Sequence, residues 1–214
     1  MKDIFCEVRE GNARKLIQWL GEGGDIENAR QPHNETLLMQ ACMNGHARLT
    51  TMLLDAGANI LARSNTARLP VTYAAQSGDY DTVMLFLNRG YGINDDISGC
   101  NNNETFLFWA VCQPSYFLVH YLIKMGADVN ARNHDNVTAL INSADAGELE
   151  ICKLLINKNA AINALDNNGN SPLNRAIDKG HLCIRKLLIE KGANIAGLLS
   201  ASVPEKREIA DTEA

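Results

Sequence analysis

Four sets of residues have types and spacings that could do chemistry. Gly21 to Asp25 reads GEGGD, and a glycine-rich turn can cradle phosphate. Its context is wrong, because it follows an apolar helical stretch and precedes an extended segment instead of opening a helix after a strand. Asn94, Asp96, Ser98 and Gly99 fall at calcium-loop spacing, but the twelfth place lacks the bidentate glutamate such loops need. Cys6, Cys42, Cys100, Cys112, Cys152 and Cys183 are widely scattered with no CxxC pair, which argues against a zinc site and against a disulfide framework. His33, His46, His120, His134 and His181 are equally dispersed, so no nucleophile and base pair is evident from spacing. Asn34, Asn103 and Asn136 each open an Asn-x-Thr sequon.

The elements that would position these groups come from an internal repeat. GDIENAR from Gly24, GANILAR from Gly57, GADVNAR from Gly126, NAAINAL from Asn159 and GANIAGL from Gly192 each close an apolar stretch, and GYGINDD from Gly90 is a looser copy. Counted from the residue three before the Ile or Val, at positions 23, 57, 90, 126, 159 and 192, successive copies are spaced by 34, 33, 36, 33 and 33 residues. In each full copy a second anchor lies upstream, at Thr36, Leu69, Thr105, Thr138 and Ser171, here termed position 0. Thr or Ser there is a natural helix N-cap. Positions 5 and 6 (Ala41 and Cys42; Ala176 and Ile177) share one face of a short helix, with a small residue at position 5 allowing close approach. Leu49, Thr50, Leu53 and Leu54, or Ile151, Cys152, Leu155 and Ile156, form the apolar stripe of a second helix. Each hairpin has one apolar side and must stack on neighbours. All three sequon threonines stand at position 0, so the repeat itself creates the sequons.

From position 0 the copies read TLLMQACMNGH, LPVTYAAQSGD, TFLFWAVCQPS, TALINSADAGE and SPLNRAIDKGH. This resembles the ankyrin repeat, whose pattern runs TPLHxAAxxGH and ends in LLxxGADVNA, and the register holds from residue 1 to 199. The resemblance implies an all-α solenoid of stacked helix-turn-helix units with β-hairpin-like fingers. Its repeats fall at about 1–31, 32–64, 65–100, 101–133, 134–166 and 167–199. Pro204 lies 33 residues after Ser171, so residues 204–214 are expected to form a partial capping helix within the 200–214 tail.

Composition excludes several functions. Hydrophobic residues make up 46% and charged residues 21%, enough apolar surface for a core. The net charge of -5 disfavours nucleic-acid phosphates. No apolar run is long enough for a membrane span, and the acidic N-terminus MKDIFCEVREGN does not suit a signal peptide. A reducing cytosol is the expected location.

Function is sought where the pattern breaks, and the fourth repeat departs most. The finger before Thr105 is three residues longer than its neighbours, which costs only about 0.2 kcal/mol in loop closure. Pro114 replaces glycine in the inter-helix turn. Phe106, Phe108, Trp109, Tyr116, Phe117 and Tyr121 place half of the chain's aromatics in this one repeat. Tyr116 and Tyr121 stand at apolar positions and are expected in the core, as is Trp19. Trp109 is at position 4, where other copies have Gln40, Tyr73, Asn142 and Arg175, a mixture expected on an exposed concave face. Phe117 is expected to face solvent on the outer side.

In the family, partner contacts usually come from finger tips and the exposed face of the first helices. Carried over by position, the candidates are Trp109, Tyr73 and Phe108 at the centre. Met43 and Asn44 join them from repeat two, with His33 and Glu35; Arg68, Gln76 and Ser77 come from repeat three, with Asn65. The fourth repeat adds Asn101, Asn102, Glu104, Cys112 and Gln113, and the fifth His134, Asp135 and Asp145. Repeat six contributes Asn168, Asn170, Asp178 and Lys179. The reading is a monomeric, non-catalytic adaptor or stoichiometric inhibitor that binds another protein and needs no cofactor or metal. A microbial effector or immunity-type protein is the first alternative, and a metal-responsive or enzymatic protein using the 94–104 loop the second.

Overall fold

The computed structural model describes residues 3–27, 30–113 and 115–195. These contain six helix pairs: α1 (Ile4–Arg9) and α2 (Ala13–Gly21), α3 (Leu37–Met43) and α4 (Ala47–Asp55), α5 (Pro70–Ser77) and α6 (Tyr80–Asn88), α7 (Phe106–Cys112) and α8 (Tyr116–Lys124), α9 (Ala139–Ala146) and α10 (Leu149–Asn157), α11 (Pro172–Asp178) and α12 (Leu182–Glu190). Links of two or three residues within each pair force the two helices antiparallel. Helices this short are not stable alone, so each depends on packing along the stack. The expected capping helix at 204–214 and the turn residue Pro114 lie outside the described residues.

The position 0 side chain starts most first helices. Thr36, Thr105, Thr138 and Ser171 each accept a hydrogen bond from the backbone N–H three residues on. At position 5, Ala41, Ala74, Ala110, Ser143 and Ala176 are fully buried, and these small residues let neighbouring first helices approach closely. Second helices touch one another less, so the stack curves with the first helices on its inner side. His46 Nε2 lies 2.9 Å from Arg9 O, and His181 Nε2 lies 3.1 Å from Asp145 O, each tying one repeat to the one before. Gly147, in the left-handed region, packs against the His181 ring with no room for a Cβ.

The fingers are turn-closed loops, and among the described residues the sole β pairing is an isolated bridge between Arg30 and Thr36. In regular fingers the loop closes over four residues, as in Ser64 N–H to Arg68 O and Asn133 N–H to Val137 O. In the long finger the equivalent bond runs from Ile97 N–H to Glu104 O, so the three extra residues sit inside the loop. Three departures from the repeat interlock here. Leu69 has no hydroxyl to cap α5, and the Thr72 Oγ1 takes the Leu69 N–H instead. The Thr72 hydroxyl then donates to Ile97 O in the inserted segment, and Ile97 is fully buried. Arg63 donates to the carbonyls of Ala67 and Gly99, joining the same two fingers.

Three core expectations need correction. Tyr121 is only half-buried, its ring meeting Tyr80 edge-on at 4.9 Å outside the core cluster. Tyr116 is 49% exposed, because it is the first residue of α8 and its ring stacks on His120 at the surface, away from the apolar stripe. Trp19 is half-buried: it packs against the core and over Gly24, where a Cβ would collide with its ring, and its other side lines an open groove with Ile4, Glu7 and Gln18. Phe117 does face solvent, at 64% exposure.

Candidate partner-binding surface

The first helices and fingers together make the inner surface, with Trp109 near its middle. Trp109 is half-buried on α7. The Arg68 guanidinium lies over its ring, 5.8 Å from the centroid, and Phe108 meets it edge-on at 5.7 Å. The indole Nε1 is buried with no partner at full hydrogen-bond distance, although its N–H lies near enough to Glu104 to favour the ionised carboxylate. Beside it stands Glu104, half-buried at the end of the long finger. Burial raises the Glu104 carboxyl above its ordinary range, and this outweighs the opposing influence of Arg68, Asn102 and Trp109.

Position 4 is less open than the sequence suggests. Gln40 and Tyr73 are each only 3% exposed. The cause is Glu35, which folds in from its finger to accept from the Tyr73 hydroxyl at 3.2 Å and from Gln40 Nε2 at 2.7 Å. Tyr73 therefore holds Glu35 in place more than it offers its own surface. Burial raises the Tyr73 hydroxyl above its usual value.

The remaining candidates occupy separate places along the same surface. Cys112 Sγ accepts from Asn142 Nδ2 at 2.9 Å, and Gln113 next to it is exposed. Met43 is 39% exposed, and Asn44 turns back to Gln40 O. Gln76 and Ser77 are half-buried at the end of α5, with the Ser77 hydroxyl donating to Ala74 O. Asn101 takes the left-handed conformation at the tip of the long finger. Asn102 O accepts the His134 N–H at 2.8 Å, which links that finger to the next. His134 and Asp135 are exposed at the following tip. Asp145 faces Arg175 at 3.6 Å and Lys179 at 3.8 Å. The geometry thus joins Trp109, Phe108, Arg68, Glu104 and Asn102 in one group, with Tyr73 and Glu35 adjoining, and leaves the others apart.

A family model described as "Ankyrin repeats (3 copies)" matches residues 4–96, 59–133 and 107–196. The chain belongs to the ankyrin-repeat family. It is 30% identical over 152 residues to ankyrin repeat and KH domain-containing protein mask-1 of Caenorhabditis elegans, covering 71% of this chain and 6% of that protein. It is 36% identical over 145 residues to the B-cell lymphoma 3 protein homolog of Mus musculus, covering 66% of this chain and 32% of that protein. The chain therefore spans well under two thirds of the length of these relatives. Among solved structures, a chain from the complex of the Bd0816 predatory endopeptidase of Bdellovibrio bacteriovorus with immunity protein Bd3460 has a TM-score of 0.73 and 21% identity. That match covers 89% of this chain and 98% of the other, and shows a shared fold.

Within this ankyrin-repeat protein the motifs that suggested other chemistry are absorbed by the fingers. Asn94 Oδ1 accepts from Asp128 N–H, Asp96 Oδ1 accepts from Ser98 and Glu104 N–H, and Ser98 Oγ accepts from Cys100 and Asn102 N–H. The oxygens at calcium-like spacing thus serve loop closure. Burial alone would raise the Asp96 carboxyl, but its hydrogen bonds to Ser98 and the backbone win and lower it. Among the described residues no group of three or more His, Cys, Asp or Glu is placed to hold a metal ion, and no helix is long and apolar enough to cross a membrane. Asn34, Asn103 and Asn136, the three sequon residues, all sit in the left-handed conformation. What residue types alone missed is the pairing of Arg68 with Trp109, which lie in different repeats. The one available signal was that both fall on the same inner face of the register.

Proposed function

We propose that this chain acts without catalysis, as an adaptor or stoichiometric inhibitor that binds one protein partner across its inner face and fingers, with Trp109 as the central anchor. Ankyrin repeats are protein-protein interaction modules, which supports the general reading. The observation that carries the specific one is the Trp109 group: a large, half-buried aromatic at mid-stack, held by Arg68 and Phe108 beside a partly buried carboxylate. Aromatic anchors of this kind bury much area for little lost rotamer entropy, and they dominate binding energy when a rim excludes water. The structural neighbour comes from a complex of an endopeptidase with an immunity protein, and blocking an enzyme by stoichiometric binding is one form the proposed activity takes. Six unpaired cysteines support a reducing compartment.

The test is capture of partners from native cytosol by the intact chain and by Trp109→Ala, followed by cross-linking. The variant is expected to lose a partner that the parent retains, with affinity falling at least about 30-fold, as at an interface hot spot. Equal retention by both chains, with unchanged circular dichroism, would remove Trp109 from the interface.

A further inference from the structure

We propose that two copies of this chain pair back to back through an aromatic patch on the outer side of repeats three and four, leaving both inner faces free. The patch lies on the opposite side of the stack from the Trp109 group and does not rest on it; a dimer departs from the monomer expected from the sequence. The patch spans α6 and α8. Phe117 is 64% exposed and Tyr116 49% exposed, with His120 exposed on the same helix and Tyr80 and Tyr121 half-buried next to Phe117. Position 12, held here by Phe117, carries Arg14, Arg48, Asp81, Glu150 and Cys183 in the other copies. Position 15, held by His120, carries Lys153 and Lys186 in the last two. Stacking therefore asks for no aromatic at either place.

The exposed rings are held in place by the protein itself. Tyr80 packs against the core, and Phe117 and Tyr121 meet it edge-on at 5.3 Å and 4.9 Å. Tyr116 stacks on His120 at 6.2 Å. Rings fixed beforehand lose little rotamer freedom on association, which makes them effective anchors. The charges that flank the patch are matched within the chain: Asp55 with Arg89 at 3.2 Å on one side, and Glu150 with Lys153 at 2.6 Å on the other. An apolar centre inside a polar rim is the anatomy of a protein interface.

Charge selects a second copy as the occupant. Asp81 and Lys124 are exposed, opposite in sign and, among the described residues, in no ion pair. Equivalent helices of successive repeats run side by side in one direction, so Asp81 in the first turn of α6 and Lys124 at the end of α8 mark diagonal corners of the patch. A two-fold axis in the plane of the patch exchanges those corners. Asp81 of each copy then meets Lys124 of the other, and Phe117 meets its own counterpart near the axis. A partner of uniform charge would satisfy one corner and be repelled at the other. The patch is small, which sets the pairing at the weak end of specific interfaces. Back-to-back pairing presents two inner faces at once and makes the chain a bivalent binder.

The test is sedimentation velocity of the full chain between about 5 and 500 µM, where a monomer-dimer equilibrium is expected with its midpoint at about 10–100 µM. Phe117→Arg installs the residue that the first two repeats carry at this position, so the fold tolerates it, and an unchanged melting curve verifies this. It is expected to weaken pairing at least about 30-fold. Asp81→Lys and Lys124→Asp should each weaken pairing about threefold or more, and the double exchange should restore it. Trp109→Ala should dimerise like the parent, and Phe117→Arg should keep any partner captured by the inner face, which separates failure here from failure of the Trp109 reading. A parent that stays monomeric at the highest concentration, growth beyond a dimer, undiminished pairing in Phe117→Arg, loss of pairing in Trp109→Ala, or a double exchange no better than the single ones would each overturn the proposal.

Discussion

Substituting Ala67 by Asn should stabilise the protein, and the structure supplies the magnitude. Ala67 lies two residues before Leu69 with φ of 61°, while Asn34, Asn103 and Asn136 occupy the same place in other repeats with φ of 59°, 54° and 58°. A Cβ-bearing residue in the left-handed region costs about 1–2 kcal/mol, and asparagine is among the residues that visit it most readily. Asparagine at this place also bridges to the next finger: Asn34 Nδ2 donates to Arg63 O at 2.9 Å, and Asn103 donates to Arg132 O. The corresponding acceptor for residue 67 is Gly99 O, which Arg63 already reaches and which has a second lone pair. Relief of strain plus one net hydrogen bond gives about 1–2 kcal/mol. For a chain of this size that is a rise in Tm of about 3–6 °C. Thermal and urea melts followed by far-ultraviolet circular dichroism measure it. Ala67→Gly is the control, because it relieves the strain but adds no amide and loosens the unfolded chain, leaving stability within about 0.5 kcal/mol of the parent. Asn34→Ala should lose about as much as Ala67→Asn gains. An Ala67→Asn protein no more stable than Ala67→Gly would refute the bridging role assigned to this position.

Other outcomes follow from the same contacts. The Asp166 carboxylate has 1% side-chain exposure, and although burial acts to raise its pKa, the hydrogen bonds from Arg175, Asn170 and Asn168 lower it overall. A carboxyl lowered by folding adds stability above its unfolded pKa of about 3.9 and loses it as pH falls through the folded value. Asp166→Asn should therefore be less stable at neutral pH, with the difference from the parent shrinking below about pH 4 in urea titrations; a constant difference would count against the pairing. Burial pushes the Cys42 thiol up to about 12 and the Cys152 thiol up to about 11, whereas Cys100 and Cys183 are exposed. A thiol reagent at mildly alkaline pH should modify Cys100 and Cys183 first, and Cys42 and Cys152 only on unfolding. Mass mapping of early products that finds Cys42 or Cys152 labelled would contradict this packing.

Much of the architecture was legible because a stack of identical units must repeat its physical solutions at a fixed interval. Thr36, Thr105, Thr138 and Ser171 declare helix starts by type and spacing, and Ala41, Ala74, Ala110 and Ala176 declare where helices must approach. The recurrent asparagines before them mark left-handed turns. Even the exposure of Phe117 followed from comparing residues at one position across repeats. The same method misjudged Tyr116 and the openness of position 4, since it averages over copies and ignores what a neighbouring finger lays on top.

The candidate site belongs to that second kind of information. Arg68 meets Trp109, and Glu35 meets Tyr73, across repeat boundaries, through side chains whose reach and direction depend on local loop geometry. The sequence alone determined the periodic backbone, because hydrogen-bond capping, small-residue contacts and left-handed turns are local requirements written into single positions. Only the tertiary structure decided which charges and rings share a surface. The link of Thr72 to Ile97, the burial of Glu104 and the guanidinium on Trp109 arise when an irregular finger folds against a regular stack, and no repeat pattern encodes that contact.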